Sequence, residues 1–372
     1  MFVSQLLTLK ASKMKHSLIL LFLFISTFLT AQTSQNEIIG TPVHAGISYG
    51  QVWPHSHRIK DISPSTTELH LKFYRPFRSN SFWENTYHKT QFGFSADIIH
   101  INSEILGTLI GSTFFIEPTF YKRNRFCVYG HLGLGFAIAT ELYNSDVNSP
   151  QHRNLFISKN PNIFLRLGLY ADYIINNNWS IGINGTGAHA SNASMFLPNL
   201  GVNIFSFGVH ANYKLAYHQR KTEINASYKK DFQPVKPFFG MSFGLRNTNE
   251  EINKYYKTFS AIGGIRKYIT NKNLLEANIE FIHRQGRIFD KEYTTDYHQR
   301  IGIAGGHEFM VSHFGFVSQL GIYLYDSGQE NHNWFAKIGT RYYFTHNLFV
   351  GIVLLNQKQT ADYLQYSLNY TW

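Results

Sequence analysis

The chain ends on a stretch with one apolar and one polar face, Leu364-Gln365-Tyr366-Ser367-Leu368-Asn369-Tyr370-Thr371-Trp372. Successive side chains of a β-strand point to opposite sides of the sheet. The leucine and aromatic side chains of this stretch therefore share one face, and the Gln, Ser, Asn and Thr side chains share the other. Similar alternating runs of about ten residues recur along the chain, and this pattern is typical of the strands of membrane β-barrels. We therefore predict an all-β protein built as an antiparallel transmembrane barrel.

The composition favours the same fold class. Aromatic residues make up 16% of the 372 residues and charged residues only 15%, with 28 glycines. A terminal strand that ends on an aromatic residue resembles the last strand of bacterial outer-membrane proteins. The alternating runs predict about eight strands within 42–217 and about eight within 237–372, joined by a polar linker at 218–236. One barrel of about sixteen strands and two barrels of eight are both compatible with this pattern.

The N-terminal residues predict export from the cytoplasm. A basic start, a short apolar run from Leu18 and small residues near Ala31 indicate a signal peptide over residues 1–31, with Met14 as an alternative start of translation. The alternative is a retained N-terminal anchor. The net charge of +11 favours an anionic membrane surface over nucleic acid as the partner, because the chain has no basic run. Cys127 is the only cysteine, so an intrachain disulfide is excluded.

The two halves of the chain share short similar segments in the same order. Residues 44–50 resemble 239–244, residues 95–101 resemble 278–284, and residues 178–183 resemble 347–352. We interpret the halves as diverged copies of one strand-rich unit. On this alignment His189 falls opposite Lys358 and Ser191 opposite Thr360, so the second half lacks the Ser–His pair of the first.

A candidate catalytic group lies at the end of an apolar stripe in the first half. His189 and Ser191 share one face of a predicted strand, and Asn203 lies on the apolar face of the next strand. An imidazole can accept the proton of a serine hydroxyl, and a third group usually orients that imidazole. The apolar face of a membrane barrel contacts lipid. The topology therefore predicts that all three side chains point outwards at the level of the outer leaflet, where the available substrate is a lipid ester.

The motif around these residues resembles the PagL family of outer-membrane lipid A deacylases. It reads His189-x-Ser191-Asn192-Ala193, then Pro198-Asn199-x-Gly201 after four residues. The resemblance implies a serine esterase that removes an acyl chain from lipid A or lipopolysaccharide without a metal or other cofactor. It implies His189 as the general base, Ser191 as the nucleophile and Asn192 as part of the oxyanion hole.

One position departs from the family pattern, because Asn203 stands where the family has a glutamate. An asparagine can orient a histidine through its carbonyl oxygen, but it cannot stabilise an imidazolium by charge. We expect weaker activity or a narrower pH range, without necessarily a loss of activity. Two other functions remain open: a non-catalytic porin or adhesin that retains the motif, and a phospholipase of the outer membrane.

Overall fold

The computed structural model describes most of the chain after residue 41. The described residues are 42–76, 90–214, 234–247, 255–270, 272–285, 297–311, 313–327, 333–357 and 360–372. The predicted signal peptide at 1–31 lies outside them, as does most of the predicted linker at 218–236. The two short 3-10 helices are His57–Ile59 and Pro150–Arg153. No helix among the described residues is both long and apolar enough to cross a membrane.

The described part of the chain contains sixteen strands, eight in each half, as the alternating pattern predicts. In the first half they are β1 (Pro42–Val52), β2 (Ser65–Pro76), β3 (Thr90–Ile101), β4 (Thr108–Arg123), β5 (Phe126–Ala139), β6 (Asn162–Ile174), β7 (Trp179–Ser191) and β8 (Val202–Lys214). In the second half they are β9 (Lys236–Asn247), β10 (Tyr255–Tyr268), β11 (Asn273–Gln285), β12 (Tyr297–Val311), β13 (Phe314–Asp326), β14 (Trp334–Tyr343), β15 (Leu348–Gln357) and β16 (Thr360–Thr371).

These strands form two closed antiparallel barrels of eight strands each. Each strand pairs with its neighbour in sequence, and β1 closes the first barrel on β8 with Ala45 opposite Ala211. The terminal strand β16 closes the second barrel on β9 with Tyr366 opposite Phe243. The structure thus decides for two small barrels over one large one. The three similar sequence segments fall on strands of the same rank, β1 and β9, β3 and β11, and β7 and β15.

The two faces of the strands differ in polarity as the alternation predicts. On β7 the side chains of Ile181 and Ile183 point outwards and are about half exposed, whereas Asn184 and Thr186 point inwards and are buried. Exposed aromatic side chains stand near both ends of the outward face, for example Trp53 at one end and Trp179 at the other. An apolar wall bounded by aromatic residues is the exterior that a membrane barrel presents to lipid.

The interior of the first barrel is filled by charged and polar side chains that bond to one another. Arg166 donates to Asp97 Oδ1 at 2.9 Å and to Glu68 Oε2 at 3.0 Å, and all three side chains are buried. His210 Nε2 lies 2.7 Å from Asp172 Oδ1. Because charge is buried only when it is paired, these contacts make Arg166, Asp172 and His210 members of a structural network inside the barrel.

An apolar cluster closes the end of the first barrel at which the first, third, fifth and seventh connections lie. These connections are residues 53–64, 102–107, 140–161 and 192–201. The cluster combines inward side chains of β7 and β8 with residues of the connections, among them Ala188, Ala190, Val202, Ile204, Ile59 and Phe156. We call this end the loop end. It supports the hairpin that carries the predicted catalytic residues, because their inward neighbours pack in the cluster.

Candidate active site

His189 and Asn203 are direct neighbours across two strands. His189 lies two residues before the end of β7 and pairs in register with Asn203, the second residue of β8. Both side chains fall on the outward face, in line with the exposed Ile183 and Phe205 below them. His189 Nδ1 and Asn203 Oδ1 are 2.6 Å apart. The two side chains thus meet at the loop end of the lipid-facing wall.

The contact with Asn203 defines which nitrogen of His189 is available for chemistry. Asn203 Oδ1 is a carbonyl oxygen and can only accept, so His189 Nδ1 carries the hydrogen and donates it. A neutral imidazole has one donor and one acceptor nitrogen, so Nε2 keeps its lone pair. Nε2 is therefore the atom that can take a proton from a hydroxyl group.

Ser191 is the last residue of β7 and lies beneath the following loop. Only 6% of its surface is exposed. Gly201 lies against both members of the pair: a Cβ atom on Gly201 would stand 2.7 Å from His189 Cε1 and 3.0 Å from Ser191 Cβ. Those two atoms are therefore at most 5.7 Å apart, the sum of the two distances. The ring of His189 and the side chain of Ser191 are thus close neighbours, and Ser191 Oγ accepts a hydrogen bond from the Ala193 N–H at 3.3 Å.

The loop over Ser191 has an unusual backbone. Ala193 and Ser194 adopt φ values of 54° and 59°, and Gly201 adopts 78°. Left-handed backbone costs roughly 1–2 kcal/mol per residue for side chains other than glycine. The loop keeps this conformation because it is held by local bonds. Met195 N donates to Asn192 O at 3.2 Å, and Phe196 N donates to Asn192 Oδ1 at 3.2 Å.

Asn192 is almost fully buried and its donors are engaged inside the loop. Its backbone N–H donates to Asn199 Oδ1 at 3.1 Å, and its side-chain Nδ2 donates to Phe196 O at 3.0 Å. An oxyanion role for Asn192 stays a prediction, and it requires one of these bonds to be exchanged when a substrate binds. The backbone N–H of Ala193 donates to Ser191 Oγ at 3.3 Å and is a second candidate donor.

A second connection fixes the far side of this loop. Leu200 N donates to Leu155 O and Gly201 N donates to Phe156 O, both at 2.9 Å. Phe156 is fully buried in the apolar cluster of the loop end. The loop is thus bonded to a buried segment, so Gly201 is held against His189 and Ser191. Asn199 and Gly201 of the motif therefore shape this loop: Asn199 Oδ1 accepts from Asn192 N, and Gly201 is bonded to Phe156 O.

Sequence reasoning missed His55, which the structure places beside Asn203. Asn203 Nδ2 lies 2.8 Å from His55 Nδ1, although the two residues are 148 positions apart. The backbone is joined at the same point, because Trp53 N donates to Asn203 O at 2.8 Å. No local pattern in the sequence marks His55. Its position follows from the barrel topology, because the closure of β1 on β8 brings the connection 53–64 next to the start of β8.

The second barrel has no counterpart of this arrangement among its described residues. β15 ends at Gln357 and β16 starts at Thr360, so two residues replace the ten of the 192–201 loop. Lys358, which aligns with His189, lies outside the described residues. The range 237–372 contains six histidines, and none of them is followed two residues later by a serine. The Ser–His pair is a property of the first barrel.

The described residues contain no group of three or more His, Cys, Asp or Glu side chains arranged to hold a metal ion. Cys127 is a free thiol on β5 and lies away from the hairpin of β7 and β8.

A comparison with protein-family models places the second half of the chain. Residues 237–372 match the model PagL_C, described as "Acyloxyacyl hydrolase, C-terminal domain". The predicted resemblance to the PagL family is confirmed. The match covers the second barrel, whereas the motif that carries the resemblance in the sequence lies in the first. No curated protein matches the chain.

Solved structures of outer-membrane proteins were also found, at low similarity. A mutant of the Rh. blastica porin is 10% identical with a TM-score of 0.18, over 90% of this chain and 99% of that chain. The Acinetobacter baumannii outer membrane protein Omp33 is 8% identical with a TM-score of 0.18, over 90% of this chain and 100% of that chain. An outer membrane channel from Pseudomonas putida F1 is 8% identical with a TM-score of 0.22, over 92% of this chain and 98% of that chain. Similarities this low add nothing about this chain.

Proposed function

We propose that this protein is a serine esterase of the bacterial outer membrane that removes an acyl chain from lipid A. The observation that carries the proposal is the position of the His189–Asn203 pair beside Ser191, on the lipid-facing side of the barrel wall. The family match to an acyloxyacyl hydrolase domain supports the reaction class, because it is found in the same chain.

The surroundings of the pair favour a lipid as the substrate. Below His189 and Asn203 the outward face continues through Ile183, Phe205 and Phe207, which are more than half exposed. An acyl chain can lie along this wall and bring its ester group to the level of His189. Polar groups that face hydrocarbon are costly, so their presence near the end of the wall favours a functional role.

The first half of the proposed reaction is acyl transfer to the enzyme. His189 Nε2 takes the proton of Ser191 Oγ while Oγ forms a bond to the carbonyl carbon of the ester. Asn203 accepts the hydrogen bond of His189 Nδ1 and keeps the ring in the required tautomer. The Ala193 N–H donates to Ser191 Oγ before the attack, and it turns to the oxyanion that develops on the ester carbonyl oxygen. Collapse of this intermediate breaks the ester bond, and His189 returns the proton to the released alcohol.

The second half regenerates the serine. His189 Nε2 removes a proton from a water molecule, whose oxygen attacks the acyl-serine carbonyl. The Ser191 Oγ bond to the acyl group breaks, His189 returns the proton to Oγ, and a fatty acid leaves. The products are therefore one fatty acid and one partly deacylated lipid, with no cofactor consumed.

The test compares the wild-type protein with Ser191→Ala in cells that make lipopolysaccharide, with lipid A acylation read by mass spectrometry. We expect the wild type to yield lipid A that has lost one acyl chain, and Ser191→Ala to leave lipid A unchanged. Ser318→Ala is the matched control, because Ser318 is an exposed serine on the second barrel. It should deacylate like the wild type.

Other outcomes of this experiment separate the rival functions. Intact lipid A in every strain, together with loss of phosphatidylethanolamine that requires Ser191, would indicate a phospholipase. Unchanged lipid A and unchanged phospholipids in the wild type would overturn the esterase proposal in favour of a non-catalytic barrel. The filled interior of the first barrel does not favour a porin, because buried side chains such as Arg166, Tyr170 and Lys72 occupy its centre.

A further inference from the structure

We propose that His55 is a positioning residue that holds the amide of Asn203 in the orientation His189 requires. His55 Nδ1 accepts a hydrogen bond from Asn203 Nδ2, and this leaves Asn203 Oδ1 facing His189 Nδ1. The inference rests on the proposed esterase function of the Ser191–His189 pair, and it adds a fourth residue to that site.

An amide at position 203 has an orientation problem that a carboxylate does not have. Both oxygens of a carboxylate accept hydrogen bonds, so either can receive the Nδ1 hydrogen of His189. An amide presents an acceptor on one side and two donors on the other. If the Asn203 amide were rotated by half a turn, its NH2 group would face His189 Nδ1 and take that lone pair. The ring proton would then lie on Nε2, so His189 could not accept the serine proton.

The contact with His55 removes this ambiguity when His55 carries its ring hydrogen on Nε2. The NH2 group of Asn203 can only donate, so the His55 Nδ1 atom at 2.8 Å acts as the acceptor. In the rotated amide, Oδ1 would face this lone pair without a hydrogen between them. Two hydrogen bonds therefore require the same orientation of the Asn203 amide. In one, His189 Nδ1 donates to Asn203 Oδ1, and in the other, Asn203 Nδ2 donates to His55 Nδ1.

The segment that carries His55 is fixed to the barrel on both sides. Trp53 N donates to Asn203 O at 2.8 Å, and the Trp53 ring meets Phe205 edge-on with 5.7 Å between the centroids. Further along, Ser63 Oγ donates to Val52 O at 2.6 Å, and Ile59 is buried in the apolar cluster of the loop end. His55 itself is exposed at the surface. Its replacement therefore removes one hydrogen bond while the anchors of the segment remain.

The experiment is a double-mutant cycle on the purified full-length protein in detergent, with lipid A as the substrate. The four proteins are the wild type, His55→Ala, Asn203→Glu and the double variant. We expect His55→Ala to lower kcat about tenfold or more with KM within about twofold, because the tautomer of His189 and not lipid binding is affected. In the Asn203→Glu background, which has no amide to orient, His55→Ala should change kcat less than about twofold.

Two further variants separate positioning from a general loss of structure. His57→Ala removes an exposed histidine from the same connection and should leave kcat unchanged. His55→Asn offers an acceptor oxygen near the place of Nδ1 and should recover most of the activity. Equal losses from His55→Ala in the wild-type protein and in the Asn203→Glu background would overturn the proposal, as would an unchanged kcat of His55→Ala.

A readout that does not need turnover keeps this inference distinct from the proposed function. Nitrogen-15 NMR of histidine-labelled protein, with His189→Ala used for assignment, reports which ring nitrogen of His189 carries the proton. We expect protonated Nδ1 in the wild type and a mixture of tautomers in His55→Ala. If the wild type cleaves no lipid ester, the function fails, but this spectrum still tests the positioning role. An identical His189 spectrum in both proteins would overturn it.

Discussion

The two barrels share strand number, connectivity and closure, and they differ at the hairpin that carries the Ser–His pair in the first barrel. Between β7 and β8 the first barrel has a loop of ten residues, 192–201, with left-handed backbone at three positions. Between β15 and β16 the second barrel has a connection of two residues. The two hairpins are alike at their other end, where the first residue of one strand pairs with an aromatic residue of the next. Trp179 pairs with Tyr213 in the first barrel, and Leu348 pairs with Tyr370 in the second.

Under the proposed function, this difference gives one barrel a site while the framework of both barrels stays the same. The strands bury their polar faces inwards in both halves, and the wall tolerates a long or a short connection at its end. A connection of two residues is too short to form a loop like 192–201, which holds Gly201 against His189. If the proposed function holds, the chemistry resides in the connection and the strand ends, while the wall supplies position and contact with lipid.

The strongest predicted effect is the loss of ester hydrolysis when His189 of the first barrel is replaced. His189→Ala should lower ester hydrolysis by about ten-thousand-fold, because loss of the base from a serine–histidine pair removes most of its rate enhancement. His283→Ala, on an outward position of β11 in the second barrel, should leave hydrolysis unchanged. Turnover of purified protein on lipid A measures both. A comparable loss from His283→Ala would place catalysis in the second barrel.

A second prediction compares the ionic clusters inside the two barrels. Arg166→Met leaves Glu68 and Asp97 without the arginine that contacts both, and we expect a loss of about 3–5 kcal/mol in the free energy of unfolding. Arg341→Met removes a bond of 2.8 Å to Glu308 and its bonds to Glu276. Arg266 still contacts both of those carboxylates, so the loss should be smaller.

Urea unfolding in detergent, followed by the electrophoretic shift between folded and unfolded barrels, measures this difference. An isosteric change on the lipid-facing wall, Ile183→Leu, serves as the control and should cost little. A larger loss from Arg341→Met than from Arg166→Met would contradict the expectation that a second arginine compensates in the second barrel.

The smallest expected effect concerns the glycine that lies against the pair. Gly201→Ala places a methyl group 2.7 Å from His189 Cε1, at a φ of 78°, and should lower kcat about a hundredfold by displacing the ring. Gly263→Ala in the second barrel is the control, because no atom lies within 4 Å of its added methyl group. Hydrolysis rates of the two variants, with folding checked by electrophoresis, decide whether the contact with Gly201 matters.

Much of the architecture follows from local patterns. Alternation of polarity predicts the strands, because a strand between lipid and a polar interior must change character at every residue. The same alternation predicts that His189 and Asn203 share the outward face. The repeated alternating runs and the aromatic content predict a membrane barrel. The resemblance to the PagL family, read from a motif in the first half, is confirmed by a match in the second.

Other features depend on contacts that no local pattern encodes. The choice of two barrels over one rests on which strands close, β1 on β8 and β9 on β16, and both choices satisfy the same alternation. The engagement of the Asn192 donors depends on how the 192–201 loop folds back on Asn199 and Phe196. Alternation alone does not predict these long-range bonds, because it specifies a face and not a partner.

The strand pattern, the outward face of the Ser–His pair and the family resemblance follow from residue order, because each depends on local spacing alone. The surroundings of the pair follow from the folded barrel. Barrel closure set His55 against Asn203, and the folded loop set Gly201 against His189 and Ser191. The physical reason is that hydrogen-bond geometry and steric contact depend on distances in space, and ring closure brings together residues that are far apart along the chain.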